Sequence, residues 1–132
     1  MGARELEDLL KRRKNEIVKL REITEITRQI AEAVERRDAL AIEMLLGERE
    51  QPVRELHELE EGIRAYLLGL SETDAIRLNE LLHGTEAAAE EEQPLAEVTA
   101  QFRRMLSTVA DADKKLSLRL GGNRSFYKKF RE

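Results

Sequence analysis

The sequence contains only two histidines, and one of them stands at a spacing typical of metal sites. Glu80 and His83 form a Glu-x-x-His motif, which places two ligands on one face of a helix in di-iron helical bundles. A second such motif would need an acid three residues before His57, where Arg54 stands instead. The two leucines between Glu80 and His83 indicate that this face is solvated. We therefore expect no metal ion and no other cofactor.

Acidic side chains are the other groups with catalytic potential. Glu60 and Glu61 are adjacent, and 90–92 is a run of three glutamates, but both lie among polar residues that would neither raise a carboxyl pKa nor hold a substrate. The chain has no cysteine, and no paired nucleophile and base is visible. Gly121 and Gly122 follow a helical pattern and lack the Lys-Ser/Thr of a phosphate-binding loop. We expect no enzymatic activity.

Three of the five aromatic residues lie close together after the two glycines: Phe126, Tyr127 and Phe130. Basic side chains are interleaved with them at positions 124, 128, 129 and 131. Such a segment could bind a protein or peptide, could latch onto the chain's own helices, or could stack its rings on bases while its cations meet phosphates. The net charge of -4 argues against the last interpretation, so we expect no nucleic-acid partner.

The elements that would position these residues follow from composition. Charged residues make up 38% of the 132 positions and apolar ones 41%, with two prolines and no tryptophan. This is the composition of long amphipathic helices, so we predict a single all-α domain, an antiparallel bundle of three to four helices. No stretch is apolar enough for a membrane span or a signal peptide, and we expect a soluble protein in the cytoplasm that does not insert into membranes.

Apolar spacing and capping residues divide the chain into predicted segments. Asp38 and Ser71 are predicted N-caps, and His83 with Gly84 a helix stop. Because a proline inside a helix costs about 3 kcal/mol, Pro52 predicts a kink or a short break in the second helix. The predicted segments are helix 1 at 3–36, helix 2 at 38–69, a short helix at 72–83, a last helix at 86–120 and a tail at 121–132.

The last helix carries the most regular apolar pattern of the chain. Its apolar residues alternate at spacings of three and four over three heptads, which is the pattern of a coiled-coil seam. Further apolar positions widen this stripe beyond the width that one neighbouring helix covers. The seam and its widening comprise Leu95, Val98, Phe102, Met105, Leu106, Val109, Ala112, Leu116, Leu118 and Leu120.

This arrangement resembles the flagellar export chaperones of the FlgN-like and FliT-like families. The likeness rests on a long first helix, on the stretch "AVERRDALAIEMLLGEREQPVREL", on a short helical connection, and on a final heptad helix that contains "FRRML". It extends from about Glu16 to Phe130. The shared features are mainly helix lengths and the spacing of apolar residues, and less the identity of particular residues.

The resemblance implies a small cytosolic protein without catalytic activity. Such chaperones hold terminal segments of hook-associated or filament-cap subunits, here called clients, before type III secretion, and they meet the client through the last helical region. Carried onto this chain, the implied partner-binding residues are Val98, Phe102, Met105, Leu106, Val109, Leu116, Leu120, Phe126, Tyr127 and Phe130. The alternative is a structural coiled coil or a homodimer, in which a second copy covers the same seam.

Overall fold

The computed structural model describes residues 2–121, and this part of the chain contains four α-helices, one 3₁₀ turn and no β-strand. The predicted all-α helical bundle is thereby confirmed. The tail residues Phe126, Tyr127 and Phe130 lie outside the described residues. The helices are α1 (Ala3–Glu35), α2 (Ala39–Leu68), α3 (Glu72–Leu82) and α4 (Gln93–Arg119), with the 3₁₀ turn at Glu90–Glu92.

Capping interactions set the beginnings of α2 and α3. The backbone N–H of Ala41 donates to Asp38 Oδ1 at 3.0 Å, and that of Asp74 donates to Ser71 Oγ at 3.3 Å. These bonds satisfy amide groups that have no partner inside the helix. Both predicted N-caps are therefore confirmed.

Left-handed residues set the ends of α1 and α3. Gly84 has φ +99°, and the Thr85 and Gly84 amides donate to the carbonyls of Glu80 and Leu81, which is the hydrogen-bond pattern of a Schellman motif. The predicted stop at Gly84 is confirmed. Arg37 holds the equivalent position after α1 with φ 57°, although it is not a glycine.

One of the two alternatives predicted at Pro52, a short break in α2, is wrong, because α2 is continuous from Ala39 to Leu68 with Pro52 inside it. The alternative of a kink stays a prediction. Packing offsets the lost hydrogen bond, since Pro52, Val53 and Leu56 are all buried.

The helix α4 begins later than the predicted position 86. Glu92 explains this difference, because its carboxylate accepts hydrogen bonds from the Ala88 amide and from Arg77. These contacts stabilise the loop and the 3₁₀ turn before Gln93, in place of an α-helix. Pro94 lies in the first turn of α4.

The chain forms two compact units, which the three long helices pass through. Unit 1 comprises Met1–Val18 and Glu58–Arg104. It contains the first part of α1, the last part of α2, all of α3 and the start of α4. Its core consists of Leu6, Leu9, Ile63, Leu78, Leu81, Leu82 and Leu95, with Tyr66, Leu67 and Leu70 packed against them.

Unit 2 comprises Lys19–His57 and the residues from Met105 onward. Contacts of Lys19 with Glu55 and of Thr27 with Arg49 show that α1 and α2 run antiparallel in this unit. The helix α4 runs parallel to α1, since Asp113 pairs with Arg49 and Arg119 pairs with Glu35. One apolar cluster of this unit contains Ile30, Val34 and Leu116, with Ile26, Ala31, Ile42, Leu45, Leu46 and Leu120 packed against them.

Candidate functional site

The predicted seam of α4 is partly covered by the helices of its own chain. Phe102, Val109 and Leu116 are buried. A client would therefore contact these three side chains only after α4 had moved. The residues of the seam and its widening that keep part of their surface accessible are Val98, Met105, Leu106, Ala112, Leu118 and Leu120.

The buried stripe of α4 also follows a different register from the predicted one. Thr99 and Asp113 are fully buried, whereas their neighbours Val98 and Ala112 are half-buried. Because the seam was predicted from apolar residues alone, the prediction did not include the buried polar residues Thr99 and Asp113. On the opposite side of the helix, Leu118 is 72% exposed, which leaves an apolar side chain in solvent near the end of α4.

The Glu-x-x-His motif lies on the surface of α3. Glu80 and His83 are both exposed, and His83 Nδ1 lies 2.8 Å from the carbonyl oxygen of Asn79. Within residues 2–121, no group of three or more His, Cys, Asp or Glu side chains is arranged to hold a metal ion. In the same part of the chain, no helix has both the length and the hydropathy needed to cross a membrane.

A buried ion pair in unit 1 was missed by the sequence analysis. Arg13 donates to Glu16 at 2.8 Å and to the carbonyl oxygen of Leu82 at 2.7 Å, and its guanidinium lies 4.5 Å from the centre of the Phe102 ring. The pair connects α1 to the end of α3 and to α4. One oxygen of Glu16 and the Nε of Arg13 are buried without a hydrogen-bond partner among the described residues.

Burial dominates the electrostatics of this pair. Burial raises the pKa of Glu16, the attraction of Arg13 lowers it, and the negative charge of Glu60 raises it. The net effect is a pKa of about 7. Burial lowers the pKa of Arg13, which also faces the like charge of Arg103 on α4. Glu16 thus titrates near neutral pH.

A second buried ion pair lies in unit 2. Arg49 donates to Asp113 at 2.6 Å and to the hydroxyl of Thr27 at 3.1 Å, which joins α2 to α4 and α1. Thr27 in turn donates to the carbonyl of Ile23. Burial raises the pKa of Asp113 to about 6 despite the attraction of Arg49.

The sequence contains a signal that could have revealed these pairs. Arg13, Glu16 and Thr27 continue the three-and-four spacing of the apolar residues of α1, so they occupy core positions. Charged residues at such positions are buried only when a partner stabilises them. Arg13 and Glu16 pair with each other within α1, but the Leu82 carbonyl and Arg49 come from other helices, and spacing within α1 does not identify those partners.

An open groove of about 870 Å³ lies between α1 and α2 in unit 2, and we call it the α1–α2 groove. Ile26 and Pro52 provide its apolar surface. Carboxylates outnumber cations on its walls by four to two. The polar lining residues are Lys19, Arg21, Glu22, Glu25, Glu48, Gln51 and Glu55.

The buried carboxylates and the accessible apolar side chains lie in different places. The described carboxylates with raised pKa values, Glu16 and Asp113, are fully buried and joined to arginines, so a substrate has no access to them. Accessible apolar side chains instead occur on several helices, among them Leu40, Leu68 and Leu118. Comparison of the chain with protein-family models, with curated proteins and with solved structures finds no match.

Proposed function

We propose that this protein is a non-catalytic cytosolic chaperone. Its clients would be flagellar hook-associated or filament-cap subunits, whose amphipathic terminal segments it would hold before type III secretion. The observation that carries the proposal is the excess of apolar surface on α4, where Leu118 is 72% exposed beyond the buried seam. The likeness of helix lengths and apolar spacing to export chaperones supplies the class of client.

The physical basis of the proposal is helix-to-helix binding. An amphipathic segment that awaits export exposes an apolar face, and a helix with spare apolar surface can cover that face as a neighbour in a bundle would. On the seam side of α4, opposite Leu118, Met105, Leu106 and Leu120 are half-buried and offer part of their surface for a second contact. The tail aromatics Phe126 and Tyr127 would extend it.

Fluorescence anisotropy with a labelled peptide tests the proposal. The probe is a synthetic terminal segment of a filament-cap subunit, and the reference is the same peptide with its order scrambled so that amphipathicity is lost. We expect the native peptide to bind and the scrambled one to bind at least tenfold more weakly. Equal affinity for the two peptides, or no binding of either, would contradict the proposal.

A pair of variants locates the contact. Leu118→Ser removes an exposed leucine from α4, and Leu68→Ser is the matched control, since Leu68 is 87% exposed on α2. Burial of a leucine stabilises a complex by about 1.5–3 kcal/mol, so Leu118→Ser should weaken binding by about tenfold or more. Leu68→Ser should leave binding unchanged. The same loss in both variants would argue against α4 as the binding helix.

Homodimerisation is the second candidate, and the outer face of α2 favours it. Leu40 and Met44 are 69% and 58% exposed, and Gly47 follows on the same helical face with open space around its Cα. A second copy could approach closely along this stripe. Sedimentation equilibrium would detect the dimer, and Met44→Glu should then convert it to a monomer, because a buried charge without a partner is strongly unfavourable.

A further inference from the structure

The buried stripe of α4 in unit 2 is polar on one side and apolar on the other. Asp113 and Ser117 form the polar side, and Val109 and Leu116 form the apolar side; all four are buried. Ala112 lies further round the helix, next to the apolar side, and is only half-buried. The helix therefore covers polar side chains while neighbouring apolar surface stays accessible.

The polar side of the stripe is incompletely hydrogen-bonded. Asp113 Oδ1 and Ser117 Oγ are buried and have no hydrogen-bond partner among residues 2–121. A buried polar atom without a partner costs free energy, because it loses its hydration and gains no bond in return. These two atoms therefore favour a turn of α4 that brings the polar side toward solvent.

A small turn of the helix is enough. Consecutive residues of an α-helix are about 100° apart, so a turn of about 50° moves Ser117 to the surface and Ala112 toward the core. Met105 and Leu106, both half-buried, lie on opposite sides of the stripe, so the turn buries more of the first and exposes more of the second. The apolar side of the stripe remains covered throughout, because it lies between the old and the new centre.

The Arg49–Asp113 pair opposes this turn. Arg49 on α2 donates to Asp113 Oδ2 at 2.6 Å, and its side chain is only 4% exposed. It also donates to the hydroxyl of Thr27 on α1 at 3.1 Å, so the guanidinium is held by a second helix and does not follow α4. The turn would separate two buried opposite charges, which is strongly unfavourable.

We propose that the part of α4 in unit 2 has two rotational registers about 50° apart, and that the Arg49–Asp113 pair selects the observed one. Small rotations of packed helices are a common form of conformational change. In the second register Ser117 faces solvent, whereas Met105 and Ala112 are covered. The pair thereby decides which side of α4 is available to a partner, and this does not depend on whether the partner is the proposed client.

Cysteine labelling in the full chain tests the two registers, because the protein contains no native cysteine. Ala110 and Ala112 are both half-buried, and they flank the stripe on its polar and its apolar side, respectively. Ala110→Cys and Ala112→Cys are therefore matched reporters that a turn of the helix affects in opposite directions. Their reaction with iodoacetamide under native conditions is followed by mass spectrometry.

Two double variants separate the effect of the ion pair from that of the polar side. The test variant combines Arg49→Met with Asp113→Ser, which removes both charges and leaves a polar side chain at position 113. The control combines Arg49→Met with Asp113→Leu, which removes the same pair but places an apolar side chain there. Both partners are replaced together, since a carboxyl group left alone at position 113 can take up a proton instead of moving.

We expect the test variant to make Ala110→Cys react severalfold faster and Ala112→Cys severalfold slower than in the parent chain. The control variant should leave both rates close to those of the parent, because burial of an apolar side chain at position 113 favours the observed register.

Three results would overturn the proposal. Unchanged rates in the test variant would mean that α4 has a single register. Faster reaction at both reporters would mean that the helix opens and does not turn. The same opposite changes in the control would mean that the polar side of the stripe is not what drives the turn.

Discussion

The buried carboxylate of Glu16 makes the stability of this protein depend on pH in an unusual direction. Burial raises the pKa of Glu16 from 4.5 to about 7 in the folded state. The folded state therefore binds more protons than the unfolded state between these two values. The stabilisation is fully present below about pH 4.5, and it is lost as the pH rises through 7.

The magnitude follows from the size of the shift. One pKa unit corresponds to 1.36 kcal/mol, so the raised pKa of Glu16 makes a difference of about 3 kcal/mol across its full titration range. Since the pKa in the unfolded state lies below 5, most of this difference appears between pH 5 and pH 8. At a urea m-value of about 2 kcal/mol per molar, the unfolding midpoint would fall by about 1 M over that range.

The assay is urea unfolding at pH 5 and pH 8, followed by circular dichroism. Glu16→Gln is the matched variant, because glutamine has nearly the same shape and does not titrate. The parent protein should lose about 2–3 kcal/mol more than Glu16→Gln between the two pH values. Each protein is first compared with itself at the two pH values. Subtracting the change in Glu16→Gln from the change in the parent then removes the contributions of other groups that titrate equally in both.

One result would refute the reasoning. If the difference between parent and Glu16→Gln were the same at pH 5 and pH 8, Glu16 would be ionised throughout, and the attraction of Arg13 would outweigh the effect of burial. The carboxylate of Glu92, which is also buried, does not confuse the test, since its pairing with Arg77 holds its pKa at about 2 and places its titration below pH 5.

Three further predictions concern single side chains. Arg49→Met should raise the pKa of Asp113 above 6, measured by NMR titration, because the attraction of Arg49 that opposes the effect of burial is lost; an unchanged pKa would contradict the pairing. Arg37→Gly should stabilise the protein by about 1 kcal/mol in urea unfolding, since Arg37 is held at φ 57° and glycine adopts this conformation without steric cost, and a loss of stability would count against this. Gly84→Ala should destabilise it by about 1–2 kcal/mol in thermal unfolding, because φ is +99° and a methyl group would meet the Arg103 guanidinium, whereas a neutral result would mean that the turn can relax.

Features that depend on neighbouring residues were predicted well from the sequence. The N-caps at Asp38 and Ser71 and the stop at Gly84 each involve residues within a few positions of one another. Their hydrogen bonds form whenever the local backbone turns into or out of a helix. The composition and the spacing of apolar residues likewise determined the all-α class.

Features that depend on packing were predicted less well. Pro52 predicted a kink or a break because local chemistry disfavours proline inside a helix, yet α2 is unbroken, and burial of Pro52, Val53 and Leu56 stabilises the continuous helix. The start of α4 moved to Gln93 because Arg77, fifteen residues away from Glu92, pairs with that carboxylate. In both places a distant contact outweighs the local preference.

The candidate site divides in the same way. Periodicity by itself identified the stripe of α4, since apolar side chains at helical spacing must find a partner surface whatever that partner is. Only the tertiary structure decided which members remain accessible, because burial depends on how close another helix lies. Phe102 is buried beside Arg13, whereas Leu118, only sixteen residues later on the same helix, is exposed.

The buried charges show most clearly what the sequence by itself determined and what it could not. The sequence determined that Arg13 and Glu16 occupy core positions of α1, because helical spacing is a property of one segment. Whether such charges are buried depends on partners that compensate for lost hydration, and for Arg13 these are Glu16, the Leu82 carbonyl and the Phe102 ring. Two of these partners lie more than sixty residues away in the sequence. Only the folded arrangement of α1, α3 and α4 brings them within contact distance, so only the tertiary structure decided that the charges are buried.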